Sequence, residues 1–165
     1  MYRRSSTAIF NTSPTPSNMT YSVDMCRFID LPQFSDRRGN LSFIENGGAL
    51  PFDVKRFYFL YDVPFGVERA GHAHKNLHQV FFAFAGCYEL HLDDGTNKRT
   101  VLINQPNKPF YVCPHIWRVV DSFTSGAVCA VLASEQYSES DYLRNYDDFR
   151  QYWSGPTYLR TRGLS

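Results

Sequence analysis

The sequence predicts an all-β fold: a single-domain β-barrel with one short helix near its C-terminal end. Three observations carry this. Short strand-like runs recur along the chain with Gly, Pro, Asn and Asp between them, the pattern of a sandwich or barrel. Aromatic residues make up 16% of the chain, with 14 Phe and 11 Tyr, which suits half-buried pleated surfaces around a cavity. Only residues 141–153 have helical spacing, with Phe149, Tyr152 and Trp153 placed to pack on the barrel.

The folded part is expected to begin at Asp24. Residues 28–34 read as a first edge strand that tolerates Pro32. Asp36, Arg37, Arg38, Gly39 and Asn40 form a turn, and residues 41–45 a second short strand. Residues 55–62 are a strongly aromatic strand, followed by a loop through Pro64 and Gly66. Residues 79–92 hold two strands broken at Gly86. A hairpin turn at residues 93–96 leads into a strand over 100–103. Residues 110–113, 117–123 and 127–134 complete the set, separated by Pro114-His115 and Thr124-Ser125-Gly126.

At 165 residues the chain makes one domain with a core that needs no staples. Lys plus Arg number 17 against 16 acids, so no basic face points to nucleic acid or an anionic membrane. No apolar run is long enough to span a bilayer. The four cysteines form no CxxC pair and read as free thiols in a reducing compartment. Residues 1–23 contain no acid and no apolar core of a secretory signal. They are expected to be a disordered tail, with 24–153 the folded domain, 154–165 a C-terminal tail and the cytoplasm the location.

The stretch that carries chemistry starts at Gly66. After five intervening residues comes His72-Ala73-His74, then Gln79, then Gly86, which is the spacing of the first sequence motif of the cupin barrel. In a strand, residues two apart project from the same face, so both imidazoles can point into a barrel. Gln79 needs a bend near Asn76-Leu77 to join them. Cupins that bind metal carry a glutamate where this chain has Gln79, and a later histidine where it has Arg118. A guanidinium has no lone pair to donate and stays charged, so no metal is expected.

The runs around Arg56-Phe57-Tyr58-Phe59, Glu68 to Lys75, Leu77 to Val80, Tyr111 to Pro114 with Trp117, and Leu132 to Asp147 resemble the sugar 3,4-ketoisomerases acting on dTDP-4-keto-6-deoxyglucose, the WxcM-like cupins. The match covers about residues 28–149. The resemblance implies a metal-independent, usually homodimeric jelly-roll cupin that needs no cofactor. It would move a ketone from sugar C4 to C3 on the way to a surface-polysaccharide aminosugar, ahead of an aminotransferase.

By the same resemblance, His72 is the expected base and His74 its orienting or enediolate-stabilising neighbour, a role histidine suits near neutral pH. Tyr58 is the expected proton shuttle. Arg69 is expected to hold the pyrophosphate or the oxyanion, where a planar fork serves better than an ammonium. Gln79 and Trp117 are expected to line the cavity, and Arg56, Arg38 and Arg118 to contact substrate. Arg38 resembles the family members forming a galacto product and Arg118 those forming a gluco product, which leaves the C4 configuration open. The chain departs from the family's Arg-Gly-x-His in having Arg69-Ala70-Gly71-His72, which places the backbone around Gly71 in question. The competing readings are a 3,5-epimerase-like cupin on the same sugar, a non-catalytic sugar-binding cupin and a metal-dependent cupin oxygenase.

Overall fold

Pairing among the strands builds two five-stranded antiparallel sheets and one separate hairpin. The structure, a computed structural model, describes residues 21–154. The expected tails over residues 1–23 and 154–165 therefore lie almost wholly outside the described residues.

The strands are β1 (Arg27–Phe28), β2 (Phe34–Asp36), β3 (Gly39–Leu41), β4 (Arg56–Leu60), β5 (Arg69–His74) and β6 (Gln79–Ala85). They continue with β7 (Tyr88–Asp93), β8 (Lys98–Ile103), β9 (Phe110–Val112), β10 (Trp117–Asp121), β11 (Val128–Ala133) and β12 (Tyr142–Leu143), ahead of helix α1 (Tyr146–Ser154). One sheet has the order β1-β9-β6-β11-β4, the other β12-β5-β10-β7-β8, and β2 pairs only with β3. This is the jelly-roll cupin architecture. Among the described residues no helix is long and apolar enough to cross a membrane.

The core lies between the sheets, from Phe81 and Ala83 of β6 to Leu90 and Leu92 of β7, Val120 of β10 and Val131 of β11. It reaches further back than expected: Val23, on the tail side of the expected boundary, is 3% exposed and belongs to this cluster. At Gly86, between β6 and β7, φ is +61°, and a Cβ would stand 2.9 Å from Ala127. Only glycine fits that close turn. The four cysteines are free, and Cys26, Cys113 and Cys129 are buried.

Three element expectations change. Residues 28–34 are not one strand. Pro32 has no N–H to give a ladder, and the segment between β1 and β2 is held by Ile29 N–H to the Pro109 carbonyl at 2.8 Å. The second short strand is β3, which ends at Leu41 rather than Glu45. The helix starts at Tyr146 and not at Asp141, because Asn145 caps it: its Oδ1 accepts the N–H groups of Asp147 and Asp148 at 2.8 and 3.1 Å. Asp141 belongs instead to a 3₁₀ turn (Glu139–Asp141) that runs into β12.

Candidate active site

Alternation along four strands turns a defined set of polar side chains inward. On β10, Arg118 and Val120 are buried while Trp117, Val119 and Asp121 are half-buried on the other face. On β4, Arg56, Tyr58 and Leu60 turn in while Phe57 and Phe59 are exposed. Arg118 pairs across the sheet with His72. From the facing sheet, Tyr58 and Gln79 meet by flanking β11, where Val131 is opposite Tyr58 and Ala133 opposite Gln79. A bend at Lys75-Asn76 separates β5 from β6 and brings Gln79 round to this interior. The result is a cavity of about 560 Å³, lined by Arg56, Tyr58, Arg69, His72, Gln79 and Arg118 among others.

The altered Ala70-Gly71 order has a structural consequence. Both residues adopt left-handed backbone, φ +70° and +66°. The pairing of β5 with β10 shifts register opposite Arg118 and Val119, which makes this a β-bulge. A bulge changes which side chains face in, and here Arg69, Ala70 and His72 all line the cavity. Glycine at 71 is at ease with this backbone, whereas alanine at 70 is strained.

The electrostatics follow from burial. Arg118 is fully buried; its Nη2 donates to the Cys113 carbonyl at 3.4 Å, and its Nε and Nη1 have no partner. Burial pulls its pKa down to about 10, still a cation at neutral pH. Neither nitrogen of His72 has a partner. Burial, and then the Arg118 cation and His74, lower its pKa to about 3, so the ring is neutral and able to accept a proton. His74, ring centroid 4.8 Å from that of His72, is lowered to about 4 by burial, against the pull of Asp141. Gln79 Nε2 donates to the Tyr58 hydroxyl oxygen at 2.7 Å, which leaves the phenolic hydrogen to donate elsewhere. Burial raises the Tyr58 pKa, so the hydroxyl stays protonated.

Arg56, Tyr58, Arg69, His72, Gln79 and Arg118 thus come together at one cavity, with His74 behind His72. Two expected residues do not join them. Trp117 cannot face inward beside Arg118, because neighbours on a strand point to opposite faces. Its ring packs instead on Tyr146 and Phe149, at 5.3 and 5.7 Å between centroids, and docks α1. Arg38 sits at the tip of the β2-β3 hairpin, its side chain 83% exposed and bonded to Asp36. It does not line the cavity of its own chain, because β2 and β3 pair with neither sheet.

The sequence reading missed Glu68, Tyr137, Tyr142 and Arg144, which also line the cavity. Arg144 Nε and Nη2 bond the Glu139 carboxylate at 2.6 and 2.8 Å, and the Tyr137 hydroxyl donates to the same group. The signal was present. Residues 135–140 hold two acids and Tyr137 yet have neither strand nor helix period, as a loop kept for a site does, while Tyr142 and Arg144 fall in the stretch that reads as helical. Among the described residues, the group that could hold a metal is Glu89, His91 and Asp121, drawn from the face of β7 and β10 opposite Arg118.

Comparison with known proteins places this geometry. A family profile described as FdtA, WxcM-like, C-terminal matches residues 24–154. The TDP-4-oxo-6-deoxy-alpha-D-glucose-3,4-oxoisomerase of Aneurinibacillus thermoaerophilus is 37% identical over 126 residues, 76% of this chain and 91% of that protein. A 3,4-ketoisomerase from Helicobacter canadensis superposes with a TM-score of 0.76 at 35% identity, covering 79% of this chain and 98% of the other. A variant of the 3,4-ketoisomerase QdtA from Thermoanaerobacterium thermosaccharolyticum, solved with TDP-4-keto-6-deoxyglucose, gives 0.75 at 36% identity, covering 76% and 91%.

Proposed function

The chain belongs to the FdtA family of WxcM-like C-terminal domains, and we propose on that premise that it is a sugar 3,4-ketoisomerase converting TDP-4-keto-6-deoxyglucose to the 3-keto sugar. The observation that carries this reading is the unpartnered, neutral His72 opposite the buried Arg118 cation, with the Tyr58 hydroxyl aimed by Gln79 in the same cavity.

The C3 proton of the substrate is acidic because it lies α to the C4 ketone. His72 takes it, and the C3–H electron pair becomes the C3=C4 double bond. The C4 oxygen takes up a proton, which gives the enediol, and Tyr58 is the donor and shuttle. Return of a proton to C4 and loss of the O3 proton leave the ketone at C3, with no net change in atoms or electrons. Arg118, permanently charged and out of water, stabilises the developing enediolate oxygen. Arg56, Arg69 and Arg144 outnumber Glu68 along the rest of the lining and suit the diphosphate of a nucleotide sugar.

Residues 24–153 form the working domain, and the enzyme is cytoplasmic, feeding its 3-keto product to an amination step. It works as a homodimer. The exposed aromatic row of Phe57 and Phe59 on the edge strand β4 and Tyr61 just after it, 51–61% exposed, supports that state.

The test is a proton NMR time course with TDP-4-keto-6-deoxyglucose in D₂O, with and without EDTA. Deuterium at C4 of a 3-keto product and at C3 of the remaining substrate, unaffected by EDTA, is the expected result and also gives the C4 configuration. His72→Ala should abolish exchange while sugar-nucleotide binding persists. Deuterium at C5 would replace this reading with an epimerase, and no exchange would leave a binding protein.

A further inference from the structure

We propose that Asp141 is a positioning residue that fixes the tautomer of His74, and so the acceptor presented beside the base; this rests on the isomerase reading. Asp141 comes from the turn before β12, which is anchored to β5. Tyr142 pairs with His74, and the Lys75 N–H donates to the Asp141 carbonyl at 2.9 Å. This main-chain pairing sets the Asp141 carboxylate against His74, the two side chains 18% and 0% exposed.

Every lone pair that matters is accounted for. Oδ1 of Asp141 accepts the backbone N–H of Asn76 at 2.8 Å and the Asn76 side-chain amide at 3.2 Å. Oδ2 lies 3.0 Å from His74 Nδ1. A carboxylate offers only lone pairs, so Nδ1 carries the hydrogen. In the neutral ring the lone pair is then on Nε2, which is buried and has no partner in the protein. The ring of Tyr142 covers both imidazoles, at 4.9 Å from His72 and 4.2 Å from His74. The Asp141–His74 pair therefore sets an acceptor, with an anion behind it, next to the base that gains a proton in the reaction. The other charged groups acting on His74 are Arg118 from β10 and Arg56 from β4, both cations, which makes Asp141 the sole opposing charge among them.

Asp141→Asn tests this by the logic of donors. The Asn76 backbone N–H can only donate, so it claims the new amide oxygen. The NH₂ group then faces His74 Nδ1 and requires a lone pair there, which moves the ring hydrogen to Nε2. Imidazole ¹⁵N NMR of the unliganded protein at neutral pH should show His74 protonated at Nδ1 in the wild type and at Nε2 in Asp141→Asn. In the isomerase assay kcat should fall by about 10²-fold or more, with KM changed less than about threefold. A wild-type spectrum with the hydrogen on Nε2 would overturn the proposal, even if the variant does not fold. So would a folded variant that loses kcat with its tautomer unchanged, or one that reverses the tautomer and keeps kcat. The spectrum needs no substrate, so absence of C3 exchange in the wild type would count against the isomerase reading and not against this assignment.

Discussion

Replacing Tyr58 with Phe removes one oxygen from a hydrogen bond of 2.7 Å, and its consequences for stability and chemistry can be separated. Gln79, the donor, is 1% exposed, and its own Oε1 already lacks a partner. Loss of the acceptor strands a buried amide donor, which costs about 1–3 kcal/mol; water in the adjoining cavity brings the figure towards about 1 kcal/mol. The chemical loss is larger. A positioned proton donor contributes about 10²–10⁴-fold, or about 3–5 kcal/mol of barrier. Urea unfolding measures the first quantity and the rate of deuterium entry at C3 and C4 in D₂O the second. The expected outcome is a small drop in midpoint with exchange slowed about a hundredfold or more. Exchange within about threefold of wild type, alongside lowered stability, would refute the shuttle and leave Tyr58 as packing.

Three further outcomes are expected. His72 and His74 are held neutral well below the usual histidine value of 6.5, so between about pH 6.5 and 4 the unfolded chain binds protons that the native state refuses. Stability therefore falls as pH falls, on the order of 2 kcal/mol for each histidine at pH 5 relative to pH 7.5, while Asp141 stays ionised and offers no offset. Denaturation midpoints at the two pH values check this, and a flat profile would contradict it. Ala70→Gly removes the left-handed strain at φ +70° and should raise stability by about 1 kcal/mol, read as a higher urea midpoint; a lower midpoint would show that alanine is relaxed there. Trp117→Ala undocks α1 from β10 and should cost about 2–3 kcal/mol while leaving KM and the C3 exchange rate close to wild type.

Much of this site was legible in the sequence because its first half is local. The His72-x-His74 spacing, the glycines at 66 and 86 and the bend before Gln79 act through alternation and turn chemistry, which depend on neighbours in the chain. Alternation also decides against one expectation: Trp117 and Arg118 are adjacent on β10, so only one of them faces inward. The sequence by itself determined that two imidazoles share a face, that an arginine stands where a ligand histidine would, and that the chain alternates short strands with turns.

Only the tertiary structure decided which of those residues meet. The bulge at Ala70-Gly71 opposite Arg118 depends on a partner strand far along the chain. The carboxylate behind His74 arrives from 67 residues away through the short pairing of β12 with β5. The hairpin that carries Arg38 joins neither sheet, although its turn chemistry reads as ordinary. Backbone pairing between distant segments is selected by the burial of whole sheet faces rather than by local spacing. That is why the motif residues could be named from the sequence while their orienting partners waited for the fold.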